Sequence, residues 1–171
     1  MPIEISVIIP HKDTLKYLSN LLDTVNYTGQ SVEIIVVDDR SRPDQNAFLL
    51  KERYPHVSFI QNPGPDFNAG AARNVGIDHA VGNWLVFADA DDQFTERALD
   101  SILQEIGRAQ PWTEVIFFDV TSYDPTTGTK GRRHRDRSKK VGLYFRTEEE
   151  TGLRYQSPQP WGKAIRKTLV D

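Results

Sequence analysis

Apolar residues along the first 120 positions follow two alternating spacings. Short, mostly apolar runs rich in Val, Ile and Phe occupy residues 5–9, 34–37, 57–60, 84–88 and 115–120. Each has the length of a strand buried on both faces. Between the runs, apolar positions recur every three or four residues. Leu15, Leu18, Leu21, Leu22 and Val25 form one such stripe, with Asp13 or Thr14 placed to cap it. A second helix is expected over 44–54. A third, rich in small residues, is expected over about 69–80, after the break at Pro63-Gly64-Pro65. Leu99, Ile102, Leu103 and Ile106 mark a fourth, with Thr95 as its cap. Buried strands alternating with amphipathic helices predict an α/β domain, a mostly parallel sheet flanked by helices. Right-handed crossovers align the C-terminal strand ends along one edge, where such sheets bind ligands. The polar residues ending the runs, 10–13, 38–41, 61–62 and 89–92, are therefore expected to meet in one acidic cleft. After residue 120 the pattern changes: a turn is expected at 125–128, a strand at 141–145 and the start of a helix over 161–169.

Composition narrows the function classes. At 171 residues and 19.5 kDa the chain is the size of one domain, with 38% hydrophobic and 26% charged residues, which excludes a disordered or fibrous protein. It has no cysteine, which excludes disulfide scaffolds and thiolate metal sites. No apolar run approaches the ~20 residues of a membrane-spanning helix. No basic stretch precedes the first apolar run, so no leader peptide is expected and the cytoplasm is the default compartment. The net charge of −3 is unevenly spread. Residues 130–140 carry +6 and the remainder −9. An acidic body with one basic ribbon does not suit a dedicated nucleic-acid binder. The ribbon is read as a solvated loop, with a diphosphate, an anionic acceptor or lipid headgroups at the inner face of a membrane as its alternatives.

The strand ends carry the candidate chemistry. Asp89, Asp91 and Asp92 follow the fourth run. Carboxylates this close repel, and a divalent cation with oxygen ligands relieves that repulsion. A solvated acidic turn ahead of a helix is the alternative. Asp38-Asp39 ends the second run and suits either hydrogen bonding to a base or ribose or an Asx turn with Ser41 and Pro43. Residues 68–76, NAGAARNVG, place small residues at a helix start beside Arg73, a pattern fit for phosphate or for tight packing. The dinucleotide fingerprint and the Walker lysine motif are both absent. His11 is read as structural, Trp112 and Trp161 as packing residues.

Together SVIIPHKD (6–13), EIIVVDDRS (33–41), NAGAARNVGIDHAVGNWLVFADADD (68–92) and, more weakly, PWGKAIRK (160–167) resemble the family 2 glycosyltransferases with the Rossmann-like GT-A fold. The resemblance implies a nucleotide-sugar-binding half over 1–120 and the start of an acceptor-side region over 121–171. It implies that Pro10 borders the base, Asp39 hydrogen-bonds it, Arg73 lies near the nucleotide, and Asp89 and Asp91 form the Asp-x-Asp pair touching ribose and Mg²⁺ or Mn²⁺. It implies an inverting transfer from a nucleotide sugar, UDP-linked by preference, to a glycan or lipid-linked acceptor, as in polysaccharide biosynthesis. Two departures stand out. Lys12 and Asp13 occupy positions where the family often has an aromatic residue and Asn, which puts base stacking in question. The base catalyst usually follows a tryptophan–lysine segment like 161–163, so the chain is expected to be an N-terminal piece with that base beyond Asp171; Asp119 and Asp124 are the substitutes within it. The rivals are a haloacid-dehalogenase-type phosphatase, also built on an Asp-x-Asp pair, and a non-catalytic nucleotide-sugar binding module.

Overall fold

In the computed structural model, residues 2–26, 31–118, 120 and 161–170 are described. The expectations for the turn at 125–128, the ribbon at 130–140, the strand at 141–145, Asp119 and Asp124 lie outside them. The element order is β1 (Ile5–His11), α1 (Leu15–Thr24), β2 (Val32–Asp38), two 3-10 turns (Pro43–Gln45 and Ala47–Leu50), β3 (Val57–Gln61), α2 (Ala69–His79), β4 (Trp84–Phe87), α3 (Ala98–Arg108), β5 (Val115–Phe117), β6 (Lys163–Arg166) and a last 3-10 turn (Lys167–Leu169).

The six strands form one sheet in the order β3-β2-β1-β4-β6-β5. β3, β2, β1 and β4 run parallel in register. β6 enters antiparallel between β4 and β5. The segment 161–169 therefore begins as a strand and not as the expected helix. Ala164 is fully buried at its centre, and β4 would otherwise present an unpaired edge at this position.

Strand alternation divides the core in two. Ile5, Val7 and Ile9 face a cluster that takes in Leu18 and Leu21 of α1 and Leu99 and Ile102 of α3. Ile8, Ile35, Val37 and Leu85 face the other side, under Ala72 of α2. α2 lies so close that a Cβ on Gly76 would sit 2.4 Å from Ile8 Cγ2. Gly76→Ala is therefore expected to destabilise the fold by about 1–3 kcal/mol, read as a lower urea midpoint at unchanged slope.

Two local expectations are corrected. Residues 44–54 form 3-10 turns and not a helix. Thr95 does not cap α3 with its side chain: its carbonyl accepts from Ala98 N at 3.0 Å, and Arg97, at φ +58°, stands at the cap position.

Candidate functional site

The C-terminal ends of β1, β2, β3 and β4 adjoin along one edge, and side-chain hydrogen bonds lace their loops together. β1 continues through Pro10 to His11, so Pro10 is a buried strand residue paired with Val37 and not a loop residue. β4 pairs only as far as Ile8. Pro10 lies past that point, where β1 has one neighbouring strand, which suits a residue without an N–H. His11 is buried, its Nε2 2.9 Å from the Gln45 carbonyl and its Nδ1 3.1 Å from Thr14 Oγ1. It is structural, as expected. Thr14 stands at the N-cap of α1, but its hydroxyl turns to His11. Asp13 Oδ1 accepts from Arg42 N at 2.8 Å. That bond is the main reason its carboxyl lies below the usual range.

The two adjacent aspartates divide the labour. Asp38 is fully buried. Its Oδ1 accepts from Ser41 N and its Oδ2 from Ala47 N, both at 2.8 Å, and Gln61 Nε2 bonds its carbonyl at 3.0 Å. Asp38 builds the loop. Asp39 is turned toward the neighbouring loops. Its Oδ1 accepts from Asn62 Nδ2 at 2.6 Å, and its Oδ2 lies 3.8 Å from Lys12 Nζ. The turn reading of the pair thus belongs to Asp38, while Asp39, also buried, bonds across to the loop after β3.

Asn62 is a positioning residue that strand-end position alone marked without a role. The same amide that holds Asp39 also donates to the Asp66 carbonyl at 2.9 Å, and its oxygen accepts from Gly64 N at 3.0 Å. Arg40 carries no role in the sequence reading either. It adopts φ +61°, donates through Nη2 to the Gly64 carbonyl at 2.6 Å, and lays its guanidinium carbon 3.8 Å from the Phe67 ring centroid. The sequence signal for this pair is an arginine in a tight turn after two aspartates, and a lone aromatic in a loop of Pro, Gly and Asp.

At the fourth strand end, Arg73 of α2 forms an ion pair with Asp89 Oδ1. Arg73 Nε is buried with no hydrogen-bond partner among the described residues, an orphan donor that an incoming oxygen would satisfy. Asn68 caps α2 by accepting from Ala71 N at 2.9 Å. Asp92 Oδ2 accepts from Asp89 N at 2.8 Å and closes the acidic turn. Partial burial pushes the Asp92 carboxyl above its usual range. The charges of Asp89 and Asp91 push the same way, against the bond from Asp89 N and the charge of Arg73. Asp91 is exposed. Among the described residues no three His, Asp or Glu side chains converge as a ready-made ion cage. Trp161 bridges to Phe87, directly before this turn. Trp112, expected to pack, is 77% exposed.

Asp39 and Asp89 thus lie on strand-end loops of one sheet edge, with Arg73 of α2 paired to Asp89 and Asp91 beside it on the fourth loop. The family model for glycosyl transferase family 2 matches residues 6–170. The chain belongs to that family. Its members similar to this chain include the glycosyltransferase GlyG of Streptococcus pneumoniae, 30% identical over 129 residues. AmsB of Erwinia amylovora, an amylovoran biosynthesis glycosyltransferase, is 31% identical over 112. The matches cover 72% and 63% of this chain but 41% and 37% of the relatives, so the chain spans about two fifths of their length. Among solved structures, residues 1–349 of S. aureus TarS in complex with UDP superpose with a TM-score of 0.69 at 20% identity, over 98% of this chain and 48% of that one. A mannosyltransferase from Pyrobaculum calidifontis, in complex with GDP-Man and Mn²⁺, gives 0.57 at 20% over 74% and 39%. The fold is GT-A, and the family matched is that of the glycosyl transferases and not that of the phosphatase alternative.

Proposed function

We propose that the chain binds a UDP-sugar with Mg²⁺ or Mn²⁺ and serves an inverting transfer to a glycan or lipid-linked acceptor, in the cytoplasm or at the inner face of the membrane. Residues 1–120 form the donor half; 121–171 begin the acceptor side and return β6 to the sheet. The observation that carries this reading is the Arg73–Asp89 pair with its orphan Nε, on the same edge as Asp39. TarS in complex with UDP and with UDP-GlcNAc, and the mannosyltransferase with Mn²⁺, support it by shared fold.

Asp39 Oδ2 accepts an N–H from the base. Arg73 Nε donates to the ribose or the diphosphate. Pro10 holds the end of β1 under the base. Asp89 and Asp91 supply hard carboxylate oxygens that fit a divalent cation whose shell diphosphate oxygens complete. Such an ion neutralises charge on a departing diphosphate, a contribution of several kcal/mol. None of the described residues is assigned as the base that deprotonates the acceptor hydroxyl.

Calorimetric titration of UDP with and without Mn²⁺ tests the reading. Binding that strengthens at least tenfold with the metal is expected. Equal binding under both conditions, or none, would overturn it.

A further inference from the structure

Resting on the nucleotide reading above, we propose that the Arg40 guanidinium, laid across Phe67, is the surface on which the donor's nucleobase stacks. Asp39 sets the place. Its side chain is buried, with Oδ1 held by Asn62 and Oδ2 3.8 Å from Nζ of the exposed Lys12, beyond hydrogen-bond distance, so a ring that enters past Lys12 meets an oxygen with a lone pair to spare. A heteroaromatic ring donating to Oδ2 sits between the 11–13 loop and the 62–67 loop. Such a ring needs a flat neighbour. The 11–13 loop offers none: His11 is 1% exposed and committed to Gln45 and Thr14, and Lys12 and Asp13 carry no extended planar face. On the other side, Arg40 directly follows Asp39. Phe67 directly follows Asp66, whose carbonyl is bonded by the same Asn62 amide that holds Asp39. Both are exposed.

The pair is assembled before any ligand arrives. Arg40 is fixed at three points: its backbone at φ +61°, its Nη2 on the Gly64 carbonyl, and one guanidinium face on the Phe67 ring. The other face points away from Phe67. A guanidinium held flat loses little freedom when a second ring covers it, and arginine planes stack well on bases. The left-handed backbone is unfavourable for arginine and easy for glycine, so backbone preference does not account for a long side chain here; the stack does.

The test is the Kd for UDP in the presence of Mn²⁺, measured for the full chain at 50 and 500 mM NaCl. Arg40→Gly suits the φ and is expected to fold with a Tm no lower than the parent, yet to raise the Kd about tenfold. Arg40→Lys, which keeps the charge and loses the plane, does not restore affinity. Phe67→Leu, which removes the ring under the guanidinium, raises the Kd by a smaller factor, about threefold. The ratio of variant to parent Kd is the same at both salt concentrations, as expected for stacking and not for a Coulombic contact. A Kd within twofold of the parent in Arg40→Gly overturns the proposal. So does full rescue by Arg40→Lys, or a ratio that collapses at 500 mM NaCl, since charge would then be the operative property. Absence of nucleotide binding by the parent is a different result: it removes the nucleotide reading itself.

Discussion

Asp91→Asn is expected to remove the response of UDP binding to Mn²⁺ and to lower sugar transfer by about 10²–10³-fold or more. Asp91 is the exposed member of the Asp-x-Asp pair, with no side-chain partner to replace among the described residues, whereas Asp89 already holds Arg73. An asparagine keeps the shape and one oxygen but gives up the charge that a hard cation requires. At 1.36 kcal/mol per factor of ten, the loss of several kcal/mol of charge neutralisation corresponds to that range. The measurement is paired: titration of UDP with and without Mn²⁺, and turnover of the donor. Asp78→Asn, an exposed change on α2, is the control and leaves both unchanged. A variant at 91 that keeps its metal response would move the cation away from this turn.

Asp38→Ala is expected to be among the most destabilising single substitutions on the binding edge, about 3 kcal/mol or more. It strips the acceptors from the part-buried Ser41 N and the buried Ala47 N, and each buried donor left without a partner costs about 1–3 kcal/mol. At about 2–4 °C per kcal/mol for a chain of this size, Tm falls by roughly 6–12 °C. Asp39→Asn gives the opposite pattern: Tm near the parent and weaker UDP binding, because a neutral amide still meets Asn62 but offers the base a poorer acceptor. Two neighbouring aspartates with exchanged phenotypes, one in Tm and one in Kd, would verify the division of labour described above.

The parts of the fold that were legible in the sequence are those whose causes are local or periodic. β1 to β4 are built on short, mostly apolar runs, and α1 and α3 carry stripes at helical spacing, so their existence follows from burial alone. The shared edge of strand ends follows from topology once those strands are parallel. The expected helix at 44–54 failed for a non-local reason. A helix there needs the Gln45 carbonyl and the Ala47 N–H for its own ladder, and these are bonded to His11 Nε2 and Asp38 Oδ2 instead. The helix expected at 161–169 failed similarly: the decisive fact is the edge of β4, almost eighty residues earlier, which no local window contains. The placement of Asp39 and Asp89 on one edge was legible because each follows a strand, and that of Arg73 because its helix begins beside that edge. Asn62, Arg40 and Phe67 were not, since their roles come from contacts across a loop that has no period.

The insertion of β6 between β4 and β5 bears on synthesis as well as on shape. β4 leaves the ribosome long before residues 163–166 do, so for that interval the nascent sheet carries a bare apolar edge. β5 has no place in the sheet until β6 has arrived. Truncation before residue 163 would thus leave β4 and β5 without their shared partner among the described strands, the kind of open edge on which chains aggregate.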